Sequence, residues 1–308
     1  MTSFEFIDPR LTERRNPATV GIDVASAAEI VDLLNAEDRS VAAAVYEARD
    51  PLARVIELVV EAFRNGGRLV YVGAGTSGRL GVLDAAECPP TFGSPPDMVV
   101  GIIAGGLPAL TRSQEGAEDD VEAGAHAIDE KLVAARDVVV GIAASGTTPF
   151  VAAALRRARD LGAKTVLVTC TDPPADTAGE CDEVIVARVG PEALTGSTRL
   201  KAGTATKMIL NTITTGSMIR LGKAYGNLMV DLMALSDKLI DRGERIVMEV
   251  GGVERAVARR AIEAAGGSVK VAVVMVRRGV DAAQARRLLN EANGFVRAVV
   301  GKPPAVLD

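Results

Sequence analysis

At 308 residues the chain is long enough for one large domain and a smaller one, because single cores stop growing near about 250–300 residues. Apolar residues make up 48% of it, yet aromatics are only 3% and tryptophan is absent, so the core must be built of Ala, Val, Leu and Ile, with no stacking platform of the kind single-stranded nucleic acid or sugar rings use. Lys and Arg total 35 against 40 Asp and Glu, a net charge of −5 with no long block of one sign, and nucleic acid is therefore excluded as an expected partner.

Met1 to Arg15 mix charges of both signs, and no run anywhere approaches about 18 uninterrupted apolar residues, so a soluble, unexported, cytoplasmic protein with no membrane partner is expected. Cys88, Cys170 and Cys181 form no CxxC pair, and His126 is the only histidine. A structural zinc site or a Ser-His-Asp triad is not expected, and His126, in Val121-Glu-Ala-Gly-Ala-His-Ala-Ile-Asp-Glu130, reads as part of a solvated helix.

Residues 1–25 are polar and irregular, Thr12-Glu-Arg-Arg-Asn-Pro17 lacking any period. Ser26-Ala-Ala-Glu29 is a capping box that starts a helix through Ile30, Val31, Leu33 and Leu34. Pro51 suits a first helical position, and Leu52, Val55, Ile56, Val59, Val60 and Phe63 continue at helical spacing until Gly66-Gly67. Short apolar runs follow at 68–73, 98–103, 137–142, 164–169 and 183–187, separated mostly by helical segments. Their hydrophobicity is continuous and not alternating, which means burial on both faces: a five-stranded parallel sheet flanked by helices, an α/β arrangement of the flavodoxin-like kind. A long helix over about 199–221 closes the unit.

Past residue 235 the pattern becomes helical stretches, Ser236–Val250, Val253–Ala265 and Asp281–Ala292, divided by glycines. Val269-Lys-Val-Ala-Val-Val-Met-Val276 favours strand by propensity, but it is isolated among helices and reads as the middle helix of a small three-helix unit. The expected organisation is an N-terminal helical arm at 1–50, a larger α/β domain at 51–234 and a small C-terminal helical domain at 235–308.

Three segments have the composition of an anion cradle. The first strand ends in Gly73-Ala-Gly-Thr-Ser-Gly78 before a helix, offering Gly75, Thr76, Ser77 and Gly78. Backbone N–H groups, the positive end of a helix dipole and two hydroxyls suit a phosphate, although a glycine turn without any ligand has the same sequence. It is neither a dinucleotide fingerprint nor a nucleotide-triphosphate loop. The third of the central strands runs into Ala143-Ala-Ser-Gly-Thr-Thr-Pro149, offering Ser145, Gly146, Thr147 and Thr148. In open sheets ligands bind beyond the carboxyl ends of strands where strand order reverses, and two such loops converge on one anion. The segment Leu194–Lys207 opens the long helix and adds Ser197 and Lys201, with Arg199 nearby; a well-capped helix with exposed basic side chains is the alternative.

A phosphate clamp binds but does not react. Glu87, before Cys88-Pro-Pro90 where two prolines are expected to end the helix, and Glu118, in Gln114-Glu-Gly-Ala-Glu-Asp-Asp120, follow strands that are successive in the chain and could face one cleft as an acid and a base. Spacing alone also fits surface carboxylates near helix ends.

Taken together, Gly73–Gly81, Glu87–Gly93, Glu115–Asp119, Ala143–Pro149, Thr195–Thr204, Thr12–Pro17 and Gly226–Asp231 resemble the motifs of the N-acetylmuramic acid 6-phosphate etherases, bacterial members of the sugar isomerase (SIS) superfamily, over nearly the whole chain. The resemblance implies an SIS-type fold and a carbon–oxygen lyase that removes D-lactate from the 3-position ether of the ring-opened sugar and returns water there, giving N-acetylglucosamine 6-phosphate. It assigns Glu87 as the acid that protonates departing lactate and later activates water, and Glu118 as the base at C2. Ser77, Ser145 and Thr148 match phosphate-contacting positions, while Thr147 departs from a pattern in which arginine is common. No cofactor and no metal are implied; the partner is a small-molecule sugar phosphate, and a homodimer is expected because superfamily members usually pair. An aldose–ketose phosphate isomerase on the same scaffold, which would need His126, and a non-catalytic phosphosugar sensor, which would not need both acids, are the alternatives.

Overall fold

The continuous apolar runs fold as strands β1 (Leu69–Gly73), β2 (Val99–Ile103), β3 (Val138–Ile142), β4 (Lys164–Thr169) and β5 (Glu183–Val186), each within one residue of the range its hydrophobicity predicts. A computed structural model describes residues 8, 10–232 and 237–305; Ser236, where a C-terminal helix was expected to start, lies outside the described residues. The five strands pair in parallel in the order β2-β1-β3-β4-β5. Every residue of β1 and β3 is buried, as expected of strands covered on both faces.

Before, between and after them run helices α1 (Ala27–Asp38), α2 (Val41–Glu47), α3 (Arg49–Arg64), α4 (Gly75–Phe92), α5 (Val121–Glu130), α6 (Pro149–Asp160), α7 (Ala175–Gly179) and α8 (Lys201–Arg220). The Ser26–Glu29 capping box forms at the start of α1, and Pro51 stands in the first turn of α3, where its missing N–H is no loss. One expectation fails at α4, which runs through Pro89 and Pro90 to Phe92 instead of stopping before them. Proline's fixed φ is itself helical; the bonds that N–H groups at positions 89 and 90 would have made are forgone, yet the last turn still closes as the Gly93 N–H reaches the Pro89 carbonyl at 2.9 Å. Gly93 has φ +58°, the left-handed conformation that commonly ends a helix.

Contacts divide the chain into two units, one holding residues up to Ala86 with Asp97–Thr214, the other Glu87–Pro96 with Thr215 onward. The first contains the sheet. The second contains the two-stranded antiparallel pair β6 (Ala224–Tyr225) and β7 (Leu228–Met229) and helices α9 (Asp237–Gly251), α10 (Arg255–Ala264), α11 (Val269–Arg278), α12 (Ala282–Glu291) and α13 (Val296–Val300). Five helices are thus described where three were expected. The β-branched run is indeed a helix, α11: Ser268 accepts the Val271 N–H as its cap, and Val269, Ala272, Val273 and Val274 fill the unit's core. Burial on that core outweighs strand propensity.

In the first unit a buried carboxylate ties three elements together. Asp84 of α4 accepts hydrogen bonds from the Tyr71 hydroxyl of β1 at 2.9 Å and from Asn211 and Thr214 of α8 at 2.6 and 3.2 Å. Burial pushes its carboxyl above the ordinary value of 3.8, against the pull of the bonds from Asn211, Tyr71 and Thr214. The folded chain therefore holds this proton more tightly than the unfolded one, so the group's contribution to stability is greatest in acid and declines as pH rises from 3.8 through the folded value. Asp84→Asn is expected to flatten that part of the stability curve. Asp84→Ala, which strands the donors, is expected to cost about 3 kcal/mol at pH 7 in urea unfolding.

Candidate active site

In the sheet β1 lies between β2 and β3, so the chain winds one way from β1 and the other way from β3. The crevice beyond the carboxyl ends of these two strands is the switch point of the fold. A cavity of about 410 Å³ opens there, lined by Gly75, Thr76 and Ser77 after β1, Ser145, Thr147 and Thr148 after β3, Glu118 and Asp119, Gly196 and Thr198, and Arg10 and Glu13 from the N-terminal arm.

The positive pole of this cleft is made of helix ends. Helix α4 begins at Gly75, so the loop predicted over 73–78 is largely its first turn, and the N–H groups of that turn have no intrahelical acceptor. Helix α6 begins at Pro149; Thr148 has a capping residue's backbone, but its hydroxyl makes no cap bond, which leaves it for a ligand. Ser145 and Thr147 hold each other's hydroxyls at 2.9 Å on the cleft wall. Gly146 does not line the cleft but shapes the loop: its φ is +71°, and a Cβ there would stand 2.9 Å from the Pro173 Cβ. Gly78 lies buried beneath the cleft against Gly73.

The negative groups face the same space. Glu118 stands in a short 3-10 helix, Ala117–Asp119, set up by Gly116 in the left-handed conformation. It also lines a second cavity of about 370 Å³, which shares Ala74, Gly75 and Glu118 with the first and extends along Arg79, Ser113, Gln114 and Glu115. Arg10 lends its guanidinium to Asp8 at 2.7 and 3.0 Å, holding that carboxyl down to about 2.

Other expected residues fall elsewhere. Lys201 is 3% exposed, its ammonium paired with Glu37 of α1, whose carboxyl also accepts from Asn16 at 2.7 Å. Glu192, fully buried, accepts the N–H groups of Lys201 and Ala202 at 2.9 Å each and so caps α8 from within the protein. Burial pushes the Glu192 carboxyl up despite those bonds and the nearby Lys201 charge. Ser197 and the exposed Arg199 are not among the residues lining the cleft. Nor is Glu87, which is exposed on α4. His126 is exposed on α5, beside Glu130 at 3.4 Å, and lines a separate apolar groove.

The N-terminal arm is where sequence reading stopped short, because a polar stretch without a period carries no signal for burial. Thr12, Asn16 and Thr19 are nevertheless buried: the Thr12 carbonyl accepts from Gly196, the Asn16 amide donates to the Pro191 carbonyl and the Thr19 hydroxyl to Ala193. This lacing brings Arg10 and Glu13 to the cleft. The reappearance of Thr12–Pro17 among the family motifs was the one available hint.

Residues 51–159 match the family described as the glucokinase regulatory protein N-terminal SIS domain. Over 270 residues the chain is 51% identical to the N-acetylmuramic acid 6-phosphate etherase of Edwardsiella ictaluri, a match covering 88% of this chain and 90% of that one. It is 52% identical over 266 residues to the enzyme of the same name from Serratia proteamaculans, covering 86% and 89%. Among solved structures it resembles a phosphoheptose isomerase from Neisseria gonorrhoeae, with a TM-score of 0.44 and 19% identity over 62% of this chain and 97% of that one.

The buried pair at the foot of α8 implies a structural effect separable from binding. Lys201→Met, which leaves Glu37 without its cation, is expected to lower stability by about 3 kcal/mol in urea unfolding while changing the affinity for inorganic phosphate less than about twofold.

Proposed function

The chain belongs to the N-acetylmuramic acid 6-phosphate etherase family, and on that premise we propose that its cleft cleaves the lactyl ether of N-acetylmuramic acid 6-phosphate to give D-lactate and N-acetylglucosamine 6-phosphate. It is a carbon–oxygen lyase of cell-wall sugar metabolism. The observation that carries this reading to the residues is the placement of Glu118 in one cavity with the amino ends of α4 and α6.

The phosphate is held where Thr76, Ser77, Ser145, Thr147 and Thr148 meet those helix ends. That anchor fixes the ring-opened sugar with C2 facing Glu118. The aldehyde at C1 acidifies the C2 hydrogen, and Glu118 takes it as a proton. The C3–oxygen bond then breaks as the lactyl oxygen receives a proton from an acid, leaving a C2–C3 double bond conjugated to the aldehyde. Water adds at C3, giving its proton back to that acid, and Glu118 returns a proton to C2. Holding substrate, base and acid in register supplies the rate, with no redox step to be balanced.

Glu87 is the proposed acid, and its exposure supports its being presented to the cleft of a second copy of the chain. The enzyme is accordingly proposed to work as a homodimer with sites completed across the pair. Among the described residues no helix is long and apolar enough to cross a membrane. The cytoplasm is the proposed setting, since a phosphorylated sugar does not diffuse out of its compartment.

Reaction in heavy water is expected to place deuterium at C2 of the product; product without it would exclude the elimination route. Glu118→Gln is expected to lower kcat about 10³-fold, within the range for loss of a positioned base, while still binding N-acetylglucosamine 6-phosphate. Equal mixing and re-equilibration of inactive Glu87→Gln and Glu118→Gln chains is expected to restore roughly a quarter of wild-type activity, because half the dimers would then carry one intact site. Assembly of each site within one chain would give no recovery.

A further inference from the structure

We infer that the second cavity receives the lactyl group of the substrate and that Arg79 grips its carboxylate, making Arg79 the residue that distinguishes the ether acid from the product. This rests on the etherase reading and specifies its leaving-group side.

The two cavities meet at Ala74, Gly75 and Glu118. With the phosphate at the helix ends and C2 at Glu118, the substituent on the neighbouring carbon, C3, lies at the shared wall and has the second cavity in front of it. That space, about 370 Å³, is ample for a three-carbon acid.

Among the described residues that line it, Arg79 is the only cation. The side chain is half-buried, and its Nε donates to the Leu110 carbonyl at 3.2 Å, which orients the guanidinium plane. Among the described residues no carboxylate pairs with it. The Nη edge therefore remains for a planar, bidentate acceptor, the geometry in which arginine binds carboxylates best. Its position supports a ligand role over a structural one. Arg79 stands one turn inside the amino end of α4, where a cation opposes the helix dipole.

Glu115 and Glu118 also face this cavity. They repel an untethered anion, so a carboxylate is retained there only when it sits on the guanidinium and is tethered through the sugar to the bound phosphate. Free D-lactate, lacking the tether, leaves readily, and N-acetylglucosamine 6-phosphate makes no use of Arg79.

The test compares wild type, Arg79→Gln and Arg79→Lys on N-acetylmuramic acid 6-phosphate, on the analogue whose lactyl carboxylate is converted to the amide, and on binding of N-acetylglucosamine 6-phosphate. The expected result is a rise in KM for the acid substrate of about 10- to 100-fold in Arg79→Gln, the scale of a lost charge-assisted bond, with a smaller rise in Arg79→Lys. Wild type should prefer the acid to the amide by a similar factor, and Arg79→Gln should lose that preference. Product affinity should stay within about twofold throughout, which also shows that the variants fold. An unchanged acid-to-amide preference in Arg79→Gln, or an equal loss of product affinity, would overturn the assignment while leaving the etherase reading intact. Absence of lactate release by wild type would overturn both.

Discussion

A single residue, Ala74, separates strand β1 from helix α4, and the site depends on that tight junction. A Cβ at Gly73 would stand 2.7 Å from the Gly78 nitrogen, and one at Gly78 would stand 2.6 Å from the Gly73 oxygen. Only glycine at both positions lets the first turn of the helix fold back over the strand end. The amino end of α4 is thereby held at the edge of the sheet beside β3, with Thr76 and Ser77 at its mouth and Arg79 one turn further in. A longer connection would move the helix end away from the switch point and separate it from the amino end of α6.

The contrast with α8 shows what makes a helix end available. Glycine, serine and threonine stand at or just before the start of α4, α6 and α8, and composition alone makes the three equivalent. Yet α8 has its first N–H groups filled by Glu192, and the lysine beside them is turned inward to Glu37. The same segment is used for packing: it anchors the N-terminal arm through Glu37 and Asn16, and Gly196 and Thr198 reach the cleft only along its rim. Thr148 of α6 differs in leaving its hydroxyl uncommitted.

Legibility in the sequence followed the range of the interactions. Continuous apolar runs located all five strands because burial on both faces is written locally, and the capping box fixed the start of α1 for the same reason. The Ser145 and Thr148 loop could be placed once strand order was guessed to reverse nearby. Lys201 could not, because its partners Glu37 and Glu192 come from distant parts of the chain and are ordinary surface residues by composition. The prolines after Cys88 misled because proline's fixed φ is itself helical, and the turn that holds them is closed beyond them by the Gly93 N–H on the Pro89 carbonyl. Arg10 and Glu13 were hidden in a segment whose order comes from bonds to the 191–196 loop, not from any pattern of its own.

The way this cleft meets an anionic substrate follows from its carboxylates. Glu13, Glu118 and Asp119 face the cavity, and the one cation among the described residues lining it, Arg10, is already engaged by Asp8. A lysine placed among them to hold phosphate would pair with one of the acids, removing an anchor and a base at once; Lys201 forms such a pair, but away from the cavity. Helix ends and hydroxyls avoid the problem. They are donors with no net charge to be neutralised and are fixed by the backbone, so on the proposed reading they hold the dianion without engaging the carboxylate proposed as the base. Under that proposal, binding energy from the remote phosphate would offset the repulsion between Glu118 and a second anion on the substrate, an arrangement that favours passage onward over resting in the bound state.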